Sequence, residues 1–211
     1  MKPLPDKTIE RLSIYRRNLI QLYSQGKQYI FSHQMANALH LTPVQVRRDI
    51  MLIGHTGTLR KGYDIKELID LIGVIIDSEN GKNVAVIGIG NLGKAIISYF
   101  NGKRSKLRIK AAFDADPAKT GKLYAGVKTW DISQLEEVIK AEGISIGIIV
   151  VPGENAETIA DRLVNAGIAG ILNFTPRSLN VPSHVYLEEY DMITSIEKVA
   201  YHSKMSGVVN G

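Results

Sequence analysis

The feature that most constrains this chain is a glycine run in a particular setting. Gly88-Ile89-Gly90-Asn91-Leu92-Gly93 follows the apolar run Val84-Ala85-Val86-Ile87 and opens the helix-like run Lys94-Ala95-Ile96-Ile97-Ser98-Tyr99. Between a strand and a helix, G-x-G-x-x-G makes a tight turn, lets backbone approach a pyrophosphate, and turns a helix N-terminus toward the phosphates. The pattern asks for a dinucleotide. More than 80 residues precede it, and they carry a separate signal. A second module therefore stands in front of a nucleotide-binding one.

A length of 211 residues accommodates one large domain or two small ones. The chain has no 18-residue apolar run and no charged-then-apolar leader, so the expectation is a soluble cytoplasmic protein that does not enter a membrane. It has no cysteine, which excludes disulfides, thiolate nucleophiles and thiol redox switching. Any response to redox state must then reside in a bound cofactor. The net charge of +5 is unevenly spread: residues 1–63 hold ten Lys/Arg against three acids, a balance of +7, and the remainder hold 16 against 18, a balance of −2. A basic module joined to a near-neutral one is expected where one part touches a polyanion.

Within the basic module, Ile9, Leu12, Leu19, Ile20 and Tyr23 recur at helical spacing from Thr8 to Gln25, and Gly26 follows as a stop. Ser32 is the expected N-cap of a short helix through Leu39. Thr42-Pro43 then supplies an N-cap and a proline at the first helical position for a helix through Leu52. Two short helices joined by a turn, the second bearing Gln45, Arg47 and Arg48, describe a helix-turn-helix with its recognition helix second. His55 to Tyr63, with glycines bracketing Arg60 and Lys61, fits the small β-hairpin wing of a winged helix. The candidate contacts to double-stranded DNA are thus Thr42, Val44, Gln45, Arg47, Arg48, Arg60 and Lys61. His33, His40 and His55 share no metal-ligand spacing, and no metal is expected. Asp64 and Glu67 open a linker helix with Ile65, Leu68, Ile69, Ile72 and Ile76 on one face.

From Asn83 onward strand and helix patterns alternate, as in a parallel sheet covered on both faces. Five strands are expected: Val84–Ile87, Ile109–Phe113, Ile146–Val151, Ile171–Phe174 and Val185–Glu188. Helices are expected at Asn91–Phe100, at Ser133–Ala141 with Ser133 and Glu136 as a capping box, at Asn155–Ala166, and at Asp191–Met205. The fold class is α/β: a winged helix-turn-helix over residues 1–80, a Rossmann-type sheet over 81–190, and a C-terminal helix over 191–211. Asp114 closes the second strand, 21 residues beyond Gly93. An acid there accepts hydrogen bonds from the adenosine ribose and repels a 2′-phosphate, which favours NAD(H) over NADP(H). Pro152 and Asn173, at the ends of the strands beyond the loop, complete the expected cofactor contacts within this sheet.

Hydride-transfer chemistry needs a proton donor or acceptor beside the nicotinamide. Neither Val150-Val151-Pro152-Gly153 nor Asn173-Phe174-Thr175-Pro176 supplies a His or carboxylate. Tyr99 and Lys103 imitate a Tyr/Lys dehydrogenase pair, but they lie on the helix that opens at the phosphate loop, the wrong end of the cofactor. No catalytic residue is assigned. A cofactor bound as a signal fits better than one consumed.

The chain resembles the Rex family of redox-sensing transcriptional repressors over essentially its whole length. The resemblance is carried by Arg11-Leu12-Ser13-Ile14-Tyr15-Arg16-Arg17, Gln45-Val46-Arg47-Arg48-Asp49, the glycine loop, Phe113-Asp114-Ala115-Asp116-Pro117, the stretch Gly167 to Pro176, and Asp191. It implies a homodimer whose winged helices bind a palindromic operator and are released by NADH, with NAD+ compatible with binding. It implies further that the C-terminal helix is exchanged between subunits, bringing Met192 near the nicotinamide. Arg17, Tyr99 and Asp191 would then form a polar switch. Two alternatives stay open: a small NAD-dependent oxidoreductase with a basic oligomerisation module, and a sensor of CoA or another nucleotide on the same fold. The wing sequence Thr58-Leu59-Arg60-Lys61, the run Met51-Leu52-Ile53 and Met192 depart from the family pattern.

Overall fold

In the computed structural model, which describes residues 3–100 and 106–207, the chain divides into two units, Met1–Glu79 and Asn80–Gly211. The first runs α1 (Asp6–Ser24), β1 (Tyr29–Ile30), α2 (Ser32–Ala38), α3 (Pro43–Leu52), β2 (Tyr63–Asp64) and α4 (Ile65–Ile76). Leu12, Tyr15 and Leu19 lie on one stripe of α1, which packs against α4 through Leu68 and Ile72, all fully buried. Met35, Val46 and Ile50 bring α2 and α3 into the same core. Each such aliphatic side chain contributes about 1.5–3 kcal/mol by leaving water.

Local chemistry sets the helix starts. The Thr42 hydroxyl accepts from the Gln45 amide at 3.2 Å, with Pro43 in the first turn, as expected. Asp64 caps α4 by accepting from the Glu67 amide at 3.0 Å. Ser32 is not the cap of α2. Phe31 holds that place, its amide donating to Gln34 Oε1 at 3.1 Å, and the Ser32 hydroxyl accepts from Arg47 instead. The expected wing is reduced to a tight loop closed by paired backbone bonds between Thr58 and Gly62. Tyr63 and Asp64 leave the loop to pair with Ile30 and Tyr29, a strand pair that alternation over two residues could not announce.

The carboxylate of Asp49, on α3, is fully buried. Arg11 donates to it twice, at 2.6 and 2.9 Å, Tyr15 donates at 2.7 Å, and Gln45 at 2.9 Å. Arg11 and Tyr15 are four residues apart on α1 and so present one face to it. Burial alone would raise the Asp49 pKa, but the hydrogen bonds from Arg11, Tyr15 and Gln45 outweigh it and hold the carboxyl below its ordinary value. A second pair, Arg16 with Asp77 at 2.7 Å, ties α1 to the end of α4.

The second unit runs β3 (Lys82–Ile87), α5 (Asn91–Phe100), β4 (Leu107–Asp114), β5 (Leu123–Tyr124), β6 (Val127–Asp131), α6 (Leu135–Ala141), β7 (Ile144–Ile149), α7 (Ala156–Asn165), β8 (Gly170–Asn173), β9 (Tyr186–Glu189) and α8 (Met192–Gly207). Among the described residues the strands form one sheet in the order β5-β6-β4-β3-β7-β8-β9, parallel except for the β5–β6 pair. Cover on both faces explains why β3 is apolar from Val84 to Ile87. Val84 and Val86 face Ile97 of α5, while Ala85 and Ile87 face Leu135 of α6 and Leu163 of α7. Two strands exceed the five expected, because the β5–β6 hairpin turns through Ala125 and Gly126, both at positive φ. The expected Ser133–Glu136 capping box is replaced. Asp131 caps that turn by accepting from the Ser133 amide at 2.8 Å, and Glu136 pairs with Arg162 at 2.6 Å.

Because folding lowers the Asp49 pKa, its stabilisation is present above about pH 4 and is lost as pH falls through the lower folded value. Asp49→Ala should cost about 3 kcal/mol at pH 7, since Arg11 and the Tyr15 hydroxyl lose their acceptor. Asp49→Asn should flatten the acid limb of urea-unfolding stability. An Asn variant as acid-sensitive as the parent chain would remove Asp49 from this account.

Candidate functional site

The sheet has a point where its strand order reverses. From β3 the chain moves outward through β4 and β6, then crosses to β7 on the other side of β3. Open α/β sheets bind ligands at such a switch point, outside the carboxyl ends of the strands. The glycine loop lies there. Gly88 has φ +103°, and a Cβ on it would sit 2.6 Å from the Val150 carbonyl oxygen at the end of β7. A Cβ on Gly93 would lie 2.0 Å from the Gly88 carbonyl oxygen, so this glycine closes the loop onto α5. A Cβ on Gly90 would meet nothing within 4 Å. Gly90 therefore borders a cradle open to a ligand's backbone approach, next to the first amides of α5, which have no intrahelical acceptor. Asn91 and Leu92 are exposed along the same turn, and Ile89 is buried beneath it.

Asp114 ends β4 beside this loop. Its Oδ2 accepts from the Ile89 amide at 2.7 Å and its Oδ1 from the Asp116 amide at 2.9 Å. Lys119 Nζ stands 3.3 and 3.2 Å from the two oxygens. Burial opposes ionisation, but the amides of Asp116 and Ile89 and the Lys119 ammonium outweigh it and keep the carboxyl below its ordinary range. Pro152 is exposed at the end of β7. Asn173 is different. Its side chain is buried, with Oδ1 accepting from Thr175 N and Oγ1 at 3.0 and 2.8 Å, and its amide donating to the Arg177 carbonyl at 2.7 Å. That side chain shapes the β8 turn and has little left to offer a ligand. Lys103 lies outside the described residues. The described residues contain no group of three His, Asp or Glu placed to hold a metal.

The basic unit presents α3 outward. Thr42, Val44, Arg47 and Arg48 are exposed, with Val44 at 65%. Gln45 is part-buried and donates its side-chain amide to Asp49, one turn along the same helix. Arg47 donates to Ser32 at 3.1 Å, bracing the guanidinium over α2. In the loop, Arg60 is exposed, and Lys61 sits 5.1 Å from the Tyr29 ring, a cation–π contact that limits its sweep. Asp49 was not singled out from sequence; an acid inside the basic recognition helix, facing Arg11 and Tyr15, was the available signal. Of the remaining candidates, Arg17 is exposed on α1 and Tyr99 on α5. Asp191 precedes α8 and accepts from the Ile193 amide at 2.8 Å and from the Thr194 hydroxyl. Those bonds, the hydroxyl first, hold its carboxyl below the ordinary range. Met192 is exposed.

Comparison with known proteins decides the family. Residues 3–50 match a family described as the N-terminus of a putative DNA-binding protein, and residues 79–177 match a CoA-binding domain family. The redox-sensing transcriptional repressor Rex of Leuconostoc citreum is 39% identical over 198 residues, 94% of this chain and 92% of its own length. The repressor of the same name from Lactobacillus gasseri is 35% identical over the same shares.

The chain belongs to the Rex family of redox-sensing transcriptional repressors.

RSP, a solved Rex-family repressor, matches 100% of this chain and 97% of its own when in complex with β-NAD+ and operator DNA, at 32% identity and a TM-score of 0.90. In complex with β-NADH the same protein matches with a TM-score of 0.87. Membership of Rex makes the chain a repressor and not an enzyme. The oxidoreductase alternative is thereby set aside.

The two loop glycines separate folding from ligand approach. Gly93→Ala should lower urea-unfolding stability by on the order of 1–3 kcal/mol, because its Cβ overlaps the Gly88 carbonyl. Gly90→Ala should leave stability within about 0.5 kcal/mol, as a surface change does. Equal losses in both would contradict this division.

Proposed function

We propose that this chain is a homodimeric Rex repressor that binds a palindromic operator, senses NADH against NAD+, and is released from DNA by NADH. The observation that carries the reading is that a relative solved with both β-NAD+ and operator DNA matches the whole of this chain. The Gly90 cradle at the switch point supports it, because its backbone can approach a pyrophosphate without displacing a side chain. Gly88 to Gly93 and the first amides of α5 would hold the pyrophosphate, Asp114 the adenosine ribose, and Pro152 the neighbouring wall. When bound, the nicotinamide supplies the redox signal, since NADH and NAD+ differ there by a hydride and one positive charge.

Asp114 also bears on the CoA alternative. CoA carries a phosphate on its adenosine ribose, which would face a carboxylate held in its charged form. The homodimer is supported by α8, on which Met192, Ile193, Ile196 and Val199 are all more than half exposed. Such a stripe has use when a second subunit covers it. Exchange of this helix would bring Met192 of the partner subunit to the nicotinamide. Arg17, Tyr99 and Asp191 of the partner subunit would then act as a polar switch, with Asp191 alternating between the other two. The described helices include none long and apolar enough to cross a membrane, and a cytoplasmic repressor is the natural setting.

In the DNA-binding unit, Thr42, Val44, Arg47 and Arg48 face the major groove, Gln45 holds that face in register, and Arg60 and Lys61 reach phosphates or the minor groove. Arg48→Ala should weaken operator binding by about 1–3 kcal/mol if Arg48 contacts a base edge. Lys61→Ala should lower affinity for all sequences and flatten the salt dependence. Unchanged binding in both variants would place the DNA surface elsewhere.

The redox response is a population shift, and such couplings are typically about 1–3 kcal/mol. By reciprocity, operator DNA must weaken NADH binding by the factor with which NADH weakens DNA binding. Tyr99→Phe should shrink that factor. So should Asp191→Asn, a substitution that keeps a good helix cap while removing the charge. Equal DNA affinity with saturating NADH, saturating NAD+ and no cofactor would overturn the sensor reading.

A further inference from the structure

The helix that carries Arg47 and Arg48 also carries two large apolar side chains in solvent, Val44 at 65% and Met51 at 64% exposure. They are seven residues apart, which in an α-helix is two turns to within about 20°, so they share one line along α3. That line lies opposite Val46 and Ile50, which enter the core. Arg47 stands about 60° to one side of Val44 and Arg48 about 40° to the other. The Thr42 cap and Pro43 place Val44 in the first turn, and Met51 is one residue from the helix end. The outward ridge of α3 is therefore apolar near both ends, with a guanidinium on each flank. A single exposed apolar side chain needs no explanation, but two on one line between two arginines form a pattern. The flanking cations fit a polyanion that carries apolar points within it. In the major groove of duplex DNA the walls are phosphate, and the thymine 5-methyl is the apolar group on the base edges. A second copy of this chain fits poorly, because pairing this face with itself sets Arg47 and Arg48 against the same cations.

We propose that Val44 and Met51 read thymine methyl groups, so that this chain selects two T·A pairs in each half-site, separated by about three base-pair steps. The inference rests on the reading of α3 as the helix that enters the major groove. Seven residues rise about 10 Å along a helix, and successive base pairs of B-DNA rise about 3.4 Å, which sets the separation. The two readers differ in stiffness. Val44 is branched at Cβ and nearly fixed in rotamer, so it accepts a methyl group in one place, whereas Met51 is unbranched and adapts. Discrimination is accordingly stricter at the base pair under Val44. Neither side chain carries charge, so both act on the choice of sequence and leave the salt-dependent part of affinity to the arginines and Lys61.

The test begins with random-sequence duplexes, from which the full-length protein selects its preferred site in the absence of NADH. The selected duplex is then made with deoxyuridine at one thymine at a time, which removes the methyl group and keeps the base pairing. Two thymines per half-site, about three steps apart, should each lose about threefold to tenfold in affinity when demethylated, as burial of one methyl group implies. Val44→Ala should abolish the larger penalty and Met51→Ala the smaller, with the slope of affinity against salt unchanged in both. Both positions are exposed, so urea-unfolding stability should also stay that of the parent chain. Deoxyuridine tolerated at every position overturns the proposal, as does a penalty that both alanine variants retain. A variant that alters the size of the assembly in sedimentation, with the methyl penalties intact, gives this face to a second copy and overturns it too. If no sequence is selected over random DNA, the operator-binding reading fails and this inference fails with it. If a site is selected but its methyl groups are immaterial, only the roles of Val44 and Met51 fall.

Discussion

A carboxylate with no exposure is tolerated only where donors surround it, and Asp49 has four hydrogen bonds from three side chains. The arrangement joins helices far apart in sequence: Arg11 and Tyr15 belong to α1, Asp49 and Gln45 to α3. Apolar packing of Leu12, Val46 and Ile50 would hold α3 against the core but would permit rotation about its axis. Directional bonds to a fixed carboxylate remove that freedom. Arg47 and Arg48 then face outward because their neighbour at 49 faces inward. Val46, Asp49 and Ile50 together fix which side of α3 is turned to solvent.

In the second unit the organising constraint is geometric. Where a parallel strand is covered on both faces its side chains are apolar, and polar function begins where that cover ends. The last residues of β3, β4 and β7 follow this: Ile87, Phe113 and Ile149 are buried, and Gly88, Asp114 and the Val150–Pro152 turn come directly after them. The three glycines of the loop have different duties. Gly88 and Gly93 are required by the protein's own carbonyls, whereas Gly90 is required by nothing inside the protein. Gly88 and Gly93 therefore shape the turn, and Gly90 leaves its outer side open.

Much of this was legible in the sequence, and the reasons for the rest are specific. The Thr42-Pro43 start, the β3–loop–α5 unit and Asp114 at a strand end could be read because each depends on local chemistry. The β5–β6 hairpin was missed because its turn places Ala125, not Asn or Asp, at positive φ. Ser32 and Ser133 were plausible caps displaced by tertiary competition, the first engaged by Arg47 and the second bound by Asp131. Asn173 was read as a ligand contact from its place at a strand end. In the structure its side chain bonds Thr175 and Arg177 and so helps to satisfy the backbone of the turn after β8. Lys119 escaped notice because five residues of separation from Asp114 signify nothing until the turn is closed.

The ion pair of Arg16 with Asp77 fixes where α1 meets the end of α4. Asp77 sits at the C-terminal end of α4, where an acid is unfavourable against the helix dipole, and Arg16 compensates for it. Arg16 and Arg17 are successive residues, about 100° apart around the helix axis. One points inward to the segment by which the chain leaves its first unit, and the other points to solvent. The ion pair thus anchors one side of α1 to the end of α4 and leaves the adjacent side to solvent.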